Sequence, residues 1–482
     1  MSRIALPRPA LPRPVLLGSV LLLAACGGPS EPEEAAYEVL SPELVARAES
    51  VRERALRGRG AYDFLEALTT EVGPRFAGTA GNLRGVEWAR DRLRELGFAE
   101  VRAEEVTVPR WVRGHAAGEI VAPHPQPVVL TALGGSVGTP RGGVEAEVVE
   151  AAGLDELAQL PRSRVAGKIV FLNRRMRRTR DGSGYGETVP IRSRGAARAG
   201  ELGAVAVLIR SVGTSNARFP HTGAMRYEED GPKIPAAALA IPDADLLEAQ
   251  LRRGPVRFRL DLGSRHLGDA PSANVLGEVP GREKPEEIVL MAAHLDSWDL
   301  GTGAIDDGAG CAIVTEAARL LGELDPPPRR TVRVWLTANE EFGLSGARAY
   351  AERYEYDLGL HAAAMESDLG AGAPWILRSR VAEEALPVVR DLARLLAPLG
   401  IEYQGNEAWG GADLIPLRPH RIPFFDLPQD ATRYFDYHHT ADDTFDKIDP
   451  EDLAKNVAAY AVAALVAAEV DVELGPAPAF EE

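Results

Sequence analysis

"EIVLMAAHLDSWDLGTGAIDDGAG", residues 287–310, runs from an apolar stretch into one histidine and four aspartates and ends in a glycine-rich turn. The run "EIVLMAAH" predicts a strand buried on both faces, and "GAGCAIVTEAARLLGEL" behind the turn predicts a helix lying on it. The alternation continues through "TVRVWLTANEE" and "HAAAMESD" and closes with the long helical pattern "EDLAKNVAAYAVAALVAAEV". Near-continuous apolar strands separated by helices specify an α/β fold with a mixed, largely parallel central sheet and helices on both faces. Ligands of such sheets bind beyond the carboxyl ends of the strands, and that is where the charge lies.

Upstream, "NLRGVEWARDRLRELG" (residues 82–97) places Leu83, Val86, Leu93 and Leu96 at helical spacing and stops at Gly97. "EVRAEEVTVPRW" then alternates as a strand does. Near residue 115 the composition shifts to prolines, glycines and short β-like runs, which marks the opening of an inserted domain. Inside it, "VAGKIVFLN" and "AVAVLIRS" predict buried strands with the helical "IRSRGAARAGELG" between them. The expected organisation is a leader over 1–25, a tether over 26–40, a first catalytic segment over 41–115, an insert over 116–270 and the main catalytic segment over 271–482.

The leader reading rests on Arg3, Arg8 and Arg13 before "VLLGSVLLLAA" (residues 15–25), an apolar core long enough for a signal peptide and too short for a permanent span. "LLAAC" resembles a bacterial lipoprotein cleavage box, which implies lipidation of Cys26 and places the protein as an exported, membrane-anchored lipoprotein of the bacterial cell envelope. With two cysteines in 482 residues and one of them lipidated, Cys311 stands alone, and neither a disulfide framework nor a thiolate zinc site can form. The formal charge of −17 argues against a nucleic-acid partner, because phosphate binding needs a positive surface. The basic run "RRMRRTR" (residues 174–180) is a solvated loop in this acidic context.

The chemistry concentrates at successive strand ends: His294 and Asp296 after the first strand, Glu340 and Glu341 after the second, Asp368 after the third. Asp306 and Asp307 follow in the glycine loop, and His438 and His439 in "YHHTADDT". Singly, each has an ordinary structural explanation, such as a solvated Glu pair or acids at a helix N-terminus. Together, carboxylates gathered without Lys or Arg repel one another unless they are protonated or a cation sits among them. Imidazoles with hard carboxylate oxygens suit zinc, and five such ligands with one carboxylate shared suffice for two ions about 3.5–4 Å apart.

At these residues the chain resembles the co-catalytic zinc exopeptidases of the aminopeptidase type, in the carboxypeptidase Q branch. The motifs are "HLDSWDLGTGAIDDGAG", "TANEEFGLSGARAY", "AMESDLG", "GGADLIPL" and "YHHTADDT", all in order. In the insert, "YGETVPIRSRGAARAGELGAVAVLIRS", "PHTGAM" and "KIPAAALAI" resemble the branch's protease-associated domain. The resemblance implies two zinc ions per chain: His294 and Asp368 on one, Glu341 and His439 on the other, and Asp306 bridging, followed by a cis peptide bond. Among neighbours, it favours His439 over His438 and Asp306 over Asp307.

The resemblance further implies Glu340 as general base and Asp296 as the acid that orients His294, with Asp413 near the site. The activity implied is hydrolysis of small peptides or dipeptides with free termini by metal-activated water, as a dipeptidase or aminopeptidase. A glutamate-type carboxypeptidase is the alternative, followed by a one-metal glutaminyl cyclase and a non-enzymatic binding lipoprotein. A homodimer is among the assemblies the resemblance allows.

Overall fold

The structure, a computed structural model, describes residues 37–480. The leader, Cys26 and most of the tether lie outside the described residues. The first helix, Pro42–Arg57, starts where Ser41 Oγ accepts the Leu44 N–H at 3.2 Å, with Pro42 in its first turn, and buries Leu44, Ala48, Val51 and Ala55.

The helix read over residues 82–97 spans Ala80–Glu95 and is capped by Thr79, whose Oγ1 accepts the Asn82 N–H. It ends as predicted, with Gly97 in the left-handed region at φ +87. Its buried face differs from the expected one: Asn82, Val86, Ala89 and Leu93 point inward while Leu83 is exposed. Asn82 earns the interior position because its Oδ1 accepts the Ser272 hydroxyl at 2.7 Å, so the polar side chain is satisfied there.

Strand β1 (Ala99–Val112) leads into a stretch that builds its own sheet from β2 (Ala116–Ala122), β3 (Gln126–Val128), β4 (Leu130–Ala132), β5 (Val144–Ala151), β6 (Ile169–Leu172), β7 (Ala206–Arg210), β8 (Ala236–Leu239) and β9 (Arg257–Leu262). Its order is β3-β2-β9-β5-β6-β7-β8-β4, parallel from β5 through β8. This second sheet closes at Leu262. The next strand, β10 (Arg265–Val279), already pairs with β1, Arg265 lying opposite Val112.

The first sheet is completed by β11 (Lys284–His294), β12 (Arg330–Thr337), β13 (His361–Glu366), β14 (Ile376–Arg380), β15 (Glu402–Tyr403) and β16 (Phe424–Asp426). Its order is β1-β10-β12-β11-β13-β16-β14-β15. The centre, β12-β11-β13-β16, is parallel, while β1 and β10 add an antiparallel edge. Ile288, Leu290 and Ala292 face one side, in a cluster with Trp335 and Tyr350. The helices Ala309–Gly322 and Pro450–Glu469 also pack on β11 and β12. The fold is thus mixed α/β with two mixed sheets. No helix among the described residues is long and apolar enough to cross a membrane.

Candidate metal centre

Three parallel strands deliver the site. In the register of β11 and β12, His294 lies opposite Thr337, and the Leu295 N–H donates to the Thr337 carbonyl at 2.9 Å. Glu340 and Glu341 follow β12 by three and four residues, and Asp368 follows β13 by two. A parallel sheet brings these ends to one edge, so residues tens of positions apart in sequence meet there.

Asp306 stands in the middle. Its Oδ1 is 3.0 Å from His294 Nε2, and its Oδ2 is 3.2 Å from His439 Nε2. Asp368 Oδ1 approaches His294 Nε2 at 3.3 Å, and Glu341 Oε2 approaches His439 Nε2 at 2.9 Å. His438 Nε2 is farther from Asp306, at 3.7 Å, and its ring stacks on His439. Potential ligand atoms of His294, Asp306 and Asp368 all lie within 4.8 Å of one another, as do those of Asp306, His438 and His439.

The neighbour Asp307 has a different job. Its carboxylate accepts the backbone N–H of His294 at 3.1 Å and of Gly310 at 3.0 Å, tying the strand end to the start of the following helix. The Asp306–Asp307 peptide is cis.

Both imidazoles are oriented by backbone carbonyls. His294 Nδ1 donates to the Asp296 carbonyl at 3.0 Å, and His439 Nδ1 donates to the Thr222 carbonyl at 3.3 Å. Each bond satisfies Nδ1 and leaves Nε2, which faces the carboxylates, as the ring's metal-ligating atom. The Asp296 carboxylate is 3.9 Å from His294 Nδ1 and accepts the Glu340 N–H at 3.0 Å, so it fixes the turn that carries Glu340.

The electrostatics are those of a cluster short of positive charge. Burial and neighbouring acids push the Glu340 and Glu341 carboxyls well above the carboxylate range, and burial raises Asp368 as well. Asp306 goes the other way. Burial opposes its ionisation, but the His294 and His439 rings hold it well below the usual value. Burial likewise opposes charge on His294, which Asp368 and Asp306 nevertheless drive up, whereas burial lowers His439 to about 4. Glu341 Oε1 is buried without a hydrogen-bond partner. A divalent cation would relieve both the repulsion and that orphaned oxygen.

The site opens into a cavity of about 1050 Å³ walled by both sheets' segments: Glu340, Asp368 and Trp409 on one side, Tyr185, Arg192 and Arg226 on the other. Asp413 is buried beside it, its Oδ2 accepting the Thr337 hydroxyl and its carboxyl raised to about 7 by burial. Cys311 is buried and free, its thiol donating to the His294 carbonyl at 3.1 Å.

The sequence reading missed three supports. Arg75 is fully buried and donates to the carbonyls of Leu295, Thr302 and Gly303, spanning the loop between His294 and Asp306. Asp443 accepts the N–H groups of Ile305 at 2.6 Å and Asp306 at 3.3 Å. Thr222, in the loop between β7 and β8, accepts from His439 Nδ1. Arg75, isolated in the small and apolar "VGPRFAGT", offered the one visible signal, since such a charge needs partners if buried.

Comparison with known proteins identifies the family. The model of "Peptidase family M28" matches residues 274–464. Carboxypeptidase Q of Mus musculus is 35% identical over 413 residues, covering 85% of this chain and 86% of the mouse protein. The chain belongs to peptidase family M28. A crystal structure of a peptidase M28 precursor from Shewanella amazonensis SB2B superposes with a TM-score of 0.89 at 48% identity, covering 90% of this chain and 99% of that one. BSAP, a zinc aminopeptidase from Bacillus subtilis, shares the fold with a TM-score of 0.62 at 22% identity, over 86% of this M28 peptidase and 98% of BSAP.

Proposed function

We propose that this M28 peptidase is a dinuclear zinc exopeptidase that hydrolyses small peptides or dipeptides with free termini. The observation that carries the reading is Asp306, one carboxylate with an oxygen towards each of two ligand groups. His294 and Asp368 would hold one zinc, Glu341 and His439 the other, and Asp306 both. Backbone-fixed tautomers, an orphaned Glu341 oxygen and an uncompensated acid cluster make the residues present a fit for that metal. Bound zinc supplies Lewis acidity, which lowers the pKa of water and polarises a carbonyl.

The rest falls to the chain. Glu340, at the cavity wall and held through its N–H by Asp296, takes a proton from the attacking water and returns it to the leaving amine. Asp307, Asp443 and Arg75 keep the Asp306 turn in register with β11. In a Glu340→Gln variant metal content should be unchanged while kcat falls about 10²–10⁴-fold. Near-normal turnover would remove Glu340 from the role, and one metal per chain would favour cyclase-type chemistry.

A carboxypeptidase reading is supported by the name of the mouse relative. Dipeptides blocked at the amino or the carboxyl end separate the two, because only the terminus that is recognised must be free. We propose that the insert expected over 116–270, between catalytic segments 41–115 and 271–482, is a protease-associated domain; its sheet runs from Ala116 to Leu262 and it shares the cavity wall. Cys26 is the proposed lipid anchor in the cell envelope. Cys26→Ala should release the protein from membranes. The proposed homodimer predicts a sedimentation mass of twice the chain.

A further inference from the structure

"PHTGAM", residues 220–225, has no part in the ligand set, yet it is where the second sheet meets the metal centre. We propose that His221 and Thr222 are positioning residues for His439, so that the affinity of one of the two metal sites is set from the loop between β7 and β8. The proposal rests on the zinc reading given above.

His439 has φ +62, in the left-handed region, which is unfavourable for a residue with a Cβ and persists where the surroundings over-determine it. The surroundings here include two residues of the loop between β7 and β8. His221 Nδ1 donates to the His438 carbonyl at 2.7 Å, the Thr222 N–H donates to the His439 carbonyl at 2.9 Å, and His439 Nδ1 donates to the Thr222 carbonyl at 3.3 Å. The first two fix the backbone on both sides of His439. The third holds its ring, with Arg192 Nη1 also 3.3 Å from Nδ1, and leaves Nε2 for Glu341 and Asp306.

The clamp is itself anchored. The His221 N–H donates to Ser211 Oγ at 2.9 Å, and that hydroxyl donates to Leu239, the last residue of β8, at 2.6 Å. Thr222 Oγ1 donates to Ala132, at the end of β4, at 3.0 Å and accepts Arg113 Nη1 at 2.8 Å. Arg113 also grips Asp299, in the loop after His294, through Nε at 3.0 Å. Gly213 lets the His221 ring lie where it does, because a Cβ there would stand 2.2 Å from the ring's Cε1.

Around the ligand loop, Thr214 donates its N–H to the Phe435 carbonyl at 3.0 Å and its hydroxyl to Asp436 at 2.8 Å, and Arg178 Nη2 donates to Asp436 at 2.6 Å. The ligand loop has little regular structure of its own, a four-residue helix at Tyr434–Tyr437. His294, by contrast, ends a strand held by its own sheet. The two metal sites therefore differ in what secures them.

The experiment is zinc titration of the metal-free full chain by calorimetry, with a chromophoric chelator as competitor. His221→Leu removes the donor, and His221→Asn keeps an N–H close to the place of Nδ1. The wild type should take two ions. His221→Leu should keep one at wild-type affinity and hold the other about 10–100-fold more weakly, with His221→Asn restoring it.

Two ions at wild-type affinity in His221→Leu overturn the proposal, and so does equal weakening in the two variants. If His221→Leu does not fold, Thr222→Val removes the Arg113 and Ala132 links at nearly constant volume. It should show the same selective loss, and unchanged affinity overturns the proposal. A wild-type chain that takes fewer than two ions refutes the dinuclear reading itself.

Discussion

Replacing Arg75 with methionine should cost this protein about 3–5 kcal/mol and loosen its grip on metal. The guanidinium is fully buried and makes four hydrogen bonds: Nε to Leu295 O at 2.7 Å, Nη1 to Gly73 O at 3.0 Å and Thr302 O at 2.7 Å, and Nη2 to Gly303 O at 2.9 Å. Methionine fills much of the volume and donates nothing. Gly303 O keeps the Gly308 N–H at 3.0 Å, so three carbonyls are stranded, and at about 1–3 kcal/mol each they would cost ~3–9 kcal/mol.

Recovering the desolvation penalty of the buried cation offsets part of this, a penalty that burial expresses by lowering the Arg75 pKa. The net is the ~3–5 kcal/mol typical of breaking a buried charged network from one side. That is a large fraction of the ~5–15 kcal/mol that keeps a domain folded. Lysine, with a single ammonium in place of a fork, should retain part of the bonding and lose about 2 kcal/mol.

The assay is urea unfolding of metal-free wild type, Arg75→Met and Arg75→Lys, followed by tryptophan fluorescence. Six tryptophans, of which Trp111, Trp298 and Trp335 are buried, report the global transition. Zinc content of each variant is measured beside it. A loss below about 1 kcal/mol in Arg75→Met, together with full metal uptake, would refute the claim that this side chain shapes the loop between His294 and Asp306.

Other outcomes are expected. Gly310→Ala, which in an open helix would gain about 1 kcal/mol, should instead cost about 1–3 kcal/mol. A Cβ there lies 2.1 Å from the Ser367 carbonyl and 2.4 Å from the Asp307 carboxylate, and a thermal melt that rises would contradict this.

His361 is buried remote from the ligands, hydrogen-bonded to the Tyr350 hydroxyl at 2.9 Å, and burial lowers it to about 4. The unfolded chain therefore takes up a proton at this residue first as pH falls. Its contribution to stability is complete above pH about 6.5 and declines by up to ~3 kcal/mol on the way down to pH about 4. His361→Gln should flatten that part of the stability profile, and an unchanged slope would exclude the residue as its source.

Chelation should lower the melting temperature, and zinc added back at about 100-fold its Kd should restore ~2.7 kcal/mol per site. A melting temperature indifferent to zinc would count against the metal centre.

The sequence alone determined the parts of this protein that depend on local pattern. Apolar runs such as "EIVLMAAH" and "TVRVWLTAN" specify buried parallel strands because every side chain in them must leave water, and their ends place His294, Glu340, Glu341 and Asp368 at one edge. The helix over 80–95 was legible from spacing and its glycine stop, but its buried face was not. Asn82 goes inward and Leu83 outward because a hydrogen bond from Ser272, 190 residues away, decides the matter.

Likewise, local pattern does not distinguish Asp306 from Asp307 or His438 from His439, and only the family resemblance favoured Asp306 and His439. Tertiary structure separates them, turning Asp307 back onto backbone N–H groups and bringing His439, rather than His438, up to Glu341. The supports in Arg75, Asp443 and the His221–Thr222 clamp are long-range contacts with no periodic trace in the chain. Periodicity records which side of an element meets water. Which groups share a hydrogen bond depends on how distant elements dock, and that is decided in three dimensions.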